Sequence, residues 1–279
     1  MMVRALLFVM LFVLSATPAP AQAPRQVPHE GYGLHDERTI GPFTVQRWVS
    51  GAMPEVSPAG MCDCITVVYE GGRRIMTFGV PGEVSAFTPN ELSGTDINGD
   101  RLPDLIMSAW SGGAHCCYSN GVYSVGEEVK AVLLLQTGNC GPGAYEDLDG
   151  DGTREFITCD DRWAYAYCSF ADSPLPRVIY SYNSARGTYV PDTPRFASRY
   201  RSELAEALDE AQTWLSESGG KDSGLDKCRL LRPALGLMYG GRFYDGLALI
   251  RGLYRGPDRE QFEREIVERV RQSPMWVER

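Results

Sequence analysis

Short runs of apolar and β-branched residues recur along most of the chain, and turns rich in glycine, asparagine and aspartate separate them. Runs of this length and alternation are typical of strands in antiparallel sheets. Glycine-containing turns at 71–72 and 126–128 predict two hairpins. The predicted strands lie at 43–49, 65–69, 74–78, 105–110, 122–125, 129–135, 156–159, 163–167, 177–182 and 188–190.

Beyond Pro194 the apolar positions follow a helical period instead. Phe196, Tyr200 and Leu204 begin a first stripe, and a second helix at 225–239 is expected to kink or restart at Pro233. Further helices are predicted at 243–254 and from Pro257 onward. The sequence therefore predicts an α+β protein, with a mainly antiparallel β domain at 40–191 and an α-helical region at 194–279.

The first 21 residues have the features of a signal peptide. An apolar run at 5–14 precedes the small residues Ala19-Pro20-Ala21, and we expect cleavage after Ala21. The run is shorter than the roughly 20 residues of a membrane span, and no later segment is apolar enough to form one. The expected location is secreted or periplasmic. Residues 22–39 are polar and rich in proline and glycine, which predicts a mobile lead-in.

The formal net charge is −9 at pH 7 over 279 residues. An acidic protein is not attracted to nucleic acid or to anionic membrane surfaces, so neither is expected as a partner.

The cysteines number eight, an even count that in an exported chain indicates disulfide bonds. Cys159 and Cys168 are spaced to pair across a hairpin. Cys62 and Cys64 lie on one strand face, from which both would reach the same neighbouring strand. All eight are disulfide candidates: Cys62, Cys64, Cys116, Cys117, Cys140, Cys159, Cys168 and Cys228.

The segment His115-Cys116-Cys117 permits several interpretations. The two cysteines can enter different disulfides on opposite strand faces, or pair with each other. A soft-metal or redox site with His115 would need reduced thiols, which an exporting cell disfavours. A Cys–His nucleophile pair is disfavoured, because adjacent strand residues point to opposite faces.

Two acidic loops, the first loop at 96–104 and the second loop at 147–155, are the most distinctive motifs. In each, carboxylate or amide side chains occupy positions 1, 3, 5 and 9, and a predicted strand follows. Carboxylates that crowd together repel one another unless a hard cation such as Ca²⁺ takes their oxygens as ligands. The loops start 51 residues apart, which indicates a diverged internal repeat, and residues 41–92 are a related unit without a loop.

The loops do not match the helix–loop–helix calcium motif, which needs Glu at position 12, where this chain has Met107 and Thr158. They resemble the FG-GAP or VCBS repeats of integrin-alpha-like β-propellers, with the pattern D-x-[DN]-G-D-G-x-x-[DE]. The resemblance covers roughly residues 90–160, and Arg101 departs from it where the family has glycine. It implies a propeller-like domain, loops that join strands of neighbouring blades, and two calcium ions, with the better fit in the second loop. The ligands it implies are the side chains of Asp96, Asn98, Asp100, Asp104, Asp147, Asp149, Asp151 and Glu155, and the backbone carbonyls of Leu102 and Thr153.

The function predicted from these features is an exported, calcium-binding structural or interaction module that presents a rigid β surface to an unknown protein or glycan. The first alternative is an envelope hydrolase that uses acidic residues. The second is a redox or soft-metal protein that uses His115, Cys116 and Cys117. The sequence lacks the nucleophile-elbow, zinc-protease and phosphate-loop motifs, which favours a non-enzymatic role.

Overall fold

The structure, a computed structural model, describes residues 23–113, 116–218 and 223–278. The predicted signal peptide and His115 lie outside the described residues. The strands are β1 (Tyr32–Ile40), β2 (Phe43–Ser50), β3 (Cys62–Glu70), β4 (Arg73–Phe78), β5 (Val84–Pro89), β6 (Asp104–Trp110), β7 (Tyr118–Val125), β8 (Val129–Gly138), β9 (Ala144–Glu146), β10 (Glu155–Cys159), β11 (Arg177–Asn183) and β12 (Thr188–Pro191). The α-helices are α1 (Thr193–Phe196), α2 (Arg201–Ser218), α3 (Ser223–Tyr239), α4 (Phe243–Leu253) and α5 (Arg259–Arg271).

The strands form three four-stranded antiparallel meanders: β1–β4, β5–β8 and β9–β12. Each strand pairs with the next one along the chain inside its meander. A short pairing between β3 and β5 joins the first two meanders into an eight-stranded sheet, and the third is a separate sheet. The predicted antiparallel architecture with a helical C-terminal region is confirmed.

Alternate residues of β6 show how the meanders stack. Leu105 and Met107 are buried with Phe43 and Val68 of the first meander. Ile106, which points to the opposite face, is buried in the cluster that contains the third meander. The first half of β6 is therefore buried on both faces, and each fully buried aliphatic side chain there contributes about 1.5–3 kcal/mol.

The C-terminal helices pack against the third meander. Tyr180 of β11 belongs to the same buried cluster as Leu235 of α3 and Phe262 of α5. The helical region therefore shares one core with the third meander. Pro233 lies inside a continuous α3, so the helix does not restart there.

Three predictions about local structure are wrong. The expected mobile lead-in at 22–39 contains most of β1, an edge strand that pairs with β2. The expected strand at 163–167 is a turn that follows a 3₁₀ helix at Asp161–Trp163, because Trp163 is buried against the helices. The acidic loops join paired strands of one sheet, β5 with β6 and β9 with β10, and not strands of neighbouring blades.

All eight cysteines are paired, and the pairing differs from two expectations. The bonds are Cys62–Cys64, Cys116–Cys117, Cys140–Cys159 and Cys168–Cys228. Cys62 and Cys64 bond to each other instead of to a neighbouring strand. Cys159 does not pair with Cys168, because the segment between them is a 3₁₀ turn and not a hairpin. The Cys168–Cys228 bond attaches α3 to the β region.

Three meanders fall short of the roughly four to eight blades of a closed propeller. No helix in the described part of the chain is long and apolar enough to cross a membrane.

Candidate metal centre

The two acidic loops occupy equivalent places in the second and third meanders. Each connects the first strand of its meander to the second, and position 9 of each loop is the first residue of that second strand. The structure thus places the two motifs in the same architectural context.

The carboxylate at position 1 shapes the turn of each loop. Asp147 accepts hydrogen bonds from the backbone N–H groups of Gly150 (2.7 Å) and Gly152 (3.1 Å). Asp96 accepts the equivalent bonds from Gly99 and Arg101 (both 2.7 Å). One aspartate therefore fixes the N–H groups of positions 4 and 6 in both loops.

Position 9 closes each loop from inside the protein. Asp104 accepts from the N–H of Ile97 (2.8 Å), and Glu155 accepts from the N–H of Leu148 (2.9 Å). Ile97 and Leu148, at position 2, are buried and anchor their loops to the core. At position 5, Asp100 and Asp151 accept from the N–H of position 7 in the same way.

The backbone conformations of the two loops agree at equivalent positions. Position 4 is Gly99 or Gly150, with φ of +78° and +80°. Position 6 also has positive φ, +90° at Gly152 and +71° at Arg101. Because a residue with a Cβ disfavours this region by roughly 1–2 kcal/mol, the first loop is strained where the second is not.

The second loop brings together three carboxylates. Ligand oxygens of Asp147, Asp149 and Asp151 lie within 4.8 Å of one another. Two oxygens bound to one Ca²⁺ at 2.3–2.6 Å lie at most about 5 Å apart, so this spacing fits a shared calcium ion. Among the described residues, this is the one cluster of three or more acidic, histidine or cysteine side chains with such spacing.

In the first loop, the buried side chains at positions 3 and 9 are hydrogen-bonded to each other and to β7. Asp104 accepts from the amide of Asn98 (3.2 Å) and from the hydroxyl of Ser124 (2.7 Å), which belongs to β7. Asn98 also donates to Ser124 (2.7 Å). These bonds hold the side chains of positions 3 and 9 within the protein.

Burial sets the electrostatics of position 9. Desolvation raises the pKa of Asp104 to about 6, against the hydrogen bonds from Ile97 and Ser124 that lower it. Burial also raises the pKa of Glu155. By contrast, the hydrogen bond from the Thr153 hydroxyl lowers the pKa of the exposed Asp151. A bound cation would favour the charged form of all three.

Two arginines from beyond β12 contact the second loop, and sequence reasoning did not identify them. Arg195 donates to Asp149 and lies 3.7 Å from Asp151. Arg199 donates to the backbone carbonyl of Leu148. Both are more than 40 residues from the loop in sequence, so no local motif reports them.

The two loops also contact each other. The Arg154 N–H donates to the Ile97 carbonyl (2.7 Å), and a Cβ on Gly99 would lie 3.0 Å from the Thr153 methyl group. The loops therefore lie side by side at one end of adjacent meanders.

The alternative site around Cys116 and Cys117 contains a disulfide between neighbours and no free thiol. The Trp110 indole donates to the Cys116 carbonyl (2.7 Å) and its ring stacks on Tyr118. A soft-metal site would require reduction of this bond.

Comparisons with known proteins identify two partial relatives. A probable thylakoid lumen protein of Synechocystis is 29% identical over 119 residues, which cover 42% of this chain and 35% of that protein. An uncharacterized protein of Sinorhizobium fredii is 24% identical over 170 residues, which cover 55% of this chain and 27% of that protein. The chain thus spans about a third or less of the length of either relative. No family model matches the chain. No solved structure matches it.

Proposed function

We propose that this chain is an exported, calcium-binding structural or interaction module whose acidic loops stabilise a rigid β surface. The observation that carries the proposal is the convergence of Asp147, Asp149 and Asp151 within one calcium-sized volume. Oxygen-only donors of this kind suit Ca²⁺ and not the softer transition metals. The first loop shares the backbone arrangement of the second, which supports a second and weaker calcium ion in the first loop. The shared arrangement and the loop motif together support the resemblance to FG-GAP or VCBS repeats.

Export is supported by two independent facts. Four disulfides are typical of proteins outside the reducing cytosol. The Synechocystis relative is named as a probable thylakoid lumen protein, and the lumen is reached by export.

When bound, calcium would neutralise the clustered carboxylates and bridge the loop positions. Residues of the chain itself hold the loop in place. Asp147 orders the loop backbone, Glu155 ties the loop to β10, and Leu148 anchors it in the core. The result would be a stiffer connection between β9 and β10.

Isothermal titration calorimetry tests the proposal. We expect two binding events with Kd of about 10⁻⁴–10⁻³ M, as in other extracellular calcium modules. Asp149→Ala should remove the tighter event, while Asp209→Ala, an exposed acidic site on α2, should change neither. Absence of any calcium heat, or equal loss with both variants, would contradict the proposal.

A further inference from the structure

A second candidate site lies on the helical side of the protein. A cavity of about 540 Å³ opens between α1, α2, α3 and the segment that leads into β11. Its volume lies in the range of roughly 300–1,000 Å³ that is usual for small-molecule sites. Five arginines line this arginine-lined cavity: Arg177, Arg195, Arg201, Arg232 and Arg242.

The charge of the cavity opposes that of the whole chain. One acidic side chain, Glu203, shares the lining with the five arginines, whereas the chain carries a net charge of −9. Arginines that line one cavity raise the local concentration of anions where carboxylates do not already neutralise them.

Contacts already made by the arginines show which of them can bind a ligand. Three are already paired with carboxylates: Arg177 with Glu203 (2.9 Å), Arg195 with Asp149 of the second loop, and Arg242, through its Nε, with Asp245 (2.7 Å). Arg232 donates to the neutral carbonyl oxygen of Ala171 (3.3 Å), which leaves its charge without compensation from that bond. Arg201 is exposed at the start of α2.

The rest of the cavity is apolar. Leu175, Leu204 and Leu237 are half-buried in its wall. Gly236 of α3 and Gly240, which follows the end of that helix, add no side chain to the space. The cavity thus combines an apolar wall with guanidinium groups, which bind carboxylates and phosphates through paired N–H donors.

We infer that the arginine-lined cavity binds a small organic anion, in which a carboxylate or phosphate group is joined to an apolar body. Arg201 and Arg232 would bind the anionic group, and the leucines would contact the apolar body. This inference goes beyond the proposed calcium site and does not depend on it.

A matched pair of fluorescent probes tests the inference in the presence of excess chelator. 8-Anilinonaphthalene-1-sulfonate carries an anionic group on an apolar body, and N-phenyl-1-naphthylamine is the same body without that group. We expect one sulfonate probe to bind per protein, with an affinity that falls as sodium chloride rises. The neutral probe should bind at least tenfold more weakly, since hydrogen bonds to a charged group are lost.

Four variants locate the binding. Arg201→Gln combined with Arg232→Gln changes exposed or half-buried side chains only and should weaken the sulfonate probe about tenfold or more. Arg38→Gln combined with Arg74→Gln, which removes the same two positive charges from exposed sites on β1 and β4, should leave it unchanged, as should Arg74→Gln alone. Ala207→Trp, which adds an indole to the cavity lining, should abolish binding of both probes while circular dichroism stays unchanged.

Competition distinguishes the two possible anionic groups. Dodecanoate and dodecyl phosphate should each displace the sulfonate probe, whereas dodecanol, which has no anionic group, should not. The better of the two competitors identifies the anionic group that the cavity prefers. Equal affinity for both probes, an unaltered affinity in the Arg201 and Arg232 double variant, or an equal loss in the Arg38 and Arg74 double variant would overturn the inference. Because calcium is absent throughout, failure here leaves the calcium proposal unaffected.

Discussion

Asp160→Ala should destabilise the whole protein, because Asp160 joins the third meander to the helices. Its carboxylate is 3% exposed and accepts hydrogen bonds from Tyr239 (2.6 Å) and Ser273 (2.5 Å). Both hydroxyl groups are themselves on buried residues. A buried donor left without an acceptor costs about 1–3 kcal/mol, so two of them predict a loss of about 2–6 kcal/mol in the free energy of unfolding.

Urea denaturation measures this loss. The unfolding should be followed by far-ultraviolet circular dichroism, which reports the helices, and by tryptophan fluorescence. Trp163, one of five tryptophans, contributes to that signal, and its indole donates to Tyr239 (3.2 Å). The two transitions should coincide and shift together, because helices and third meander share one core. Asp245→Ala, which removes an exposed ion pair, is the control and should cost less than about 1 kcal/mol.

Two results would refute this reasoning. A loss below about 1 kcal/mol for Asp160→Ala would show that the hydroxyl groups find other partners. Separate transitions for the two signals would show that the helical region is an independent unit.

Three further predictions concern single side chains. Arg195→Ala should tighten calcium binding at the second loop by about 1.5- to 5-fold, because a surface ion pair of about 0.2–1 kcal/mol no longer competes. Arg101→Gly should raise the free energy of unfolding by up to about 1 kcal/mol and tighten the first site, because glycine accepts positive φ. The hydrogen bond from Lys227 lowers the pKa of Asp258 in the folded state. The charged Asp258 therefore stabilises the folded protein above about pH 4, and this stabilisation is lost as the pH falls further. Asp258→Asn should lower the free energy of unfolding above that pH and make it less dependent on pH below it.

Each of these predictions has a control and an opposing outcome. Calorimetry should show no change for Arg186→Ala, and an unchanged or weaker affinity for Arg195→Ala would mean that the arginine supports the loop. Arg101→Lys keeps the Cβ and the charge, so a gain equal to that of glycine would exclude backbone strain as the cause. Urea midpoints at pH 3 and pH 6 test Asp258, and an identical pH slope in Asp258→Asn and the unaltered protein would contradict the ion-pair argument.

Much of the fold could be predicted because buried strands carry a local signal. The runs around Val67, Ile106 and Ile179 are apolar because consecutive residues in β3, β6 and β11 are buried, so both faces of each strand are covered. β1 could not be predicted in this way, since five of its nine residues are exposed at a sheet edge and its sequence is polar. The strand predicted around Trp163 is wrong for the opposite reason, because this apolar side chain contacts a helix more than 70 residues away in sequence.

The candidate metal site also combines residues that a local motif predicts with residues that only tertiary packing brings there. Its loop residues are contiguous, so their spacing and the positive φ at Gly150 and Gly152 could be anticipated from the motif. The contributions of Ser124 and Arg195 could not be, because tertiary packing alone brings them to the loops. The disulfide between Cys168 and Cys228 was missed for the same reason, since 60 residues separate its partners.

The thermal unfolding midpoint, measured in calcium and then in excess chelator, tests the central claim most directly. Calcium at ten times Kd stabilises each site by about 1.4 kcal/mol, so two sites should raise the midpoint by roughly 5–10 °C for a protein of this size. Magnesium at equal ionic strength should have a much smaller effect, because it requires near-ideal octahedral ligands. A midpoint that is the same in calcium and in chelator would contradict the account.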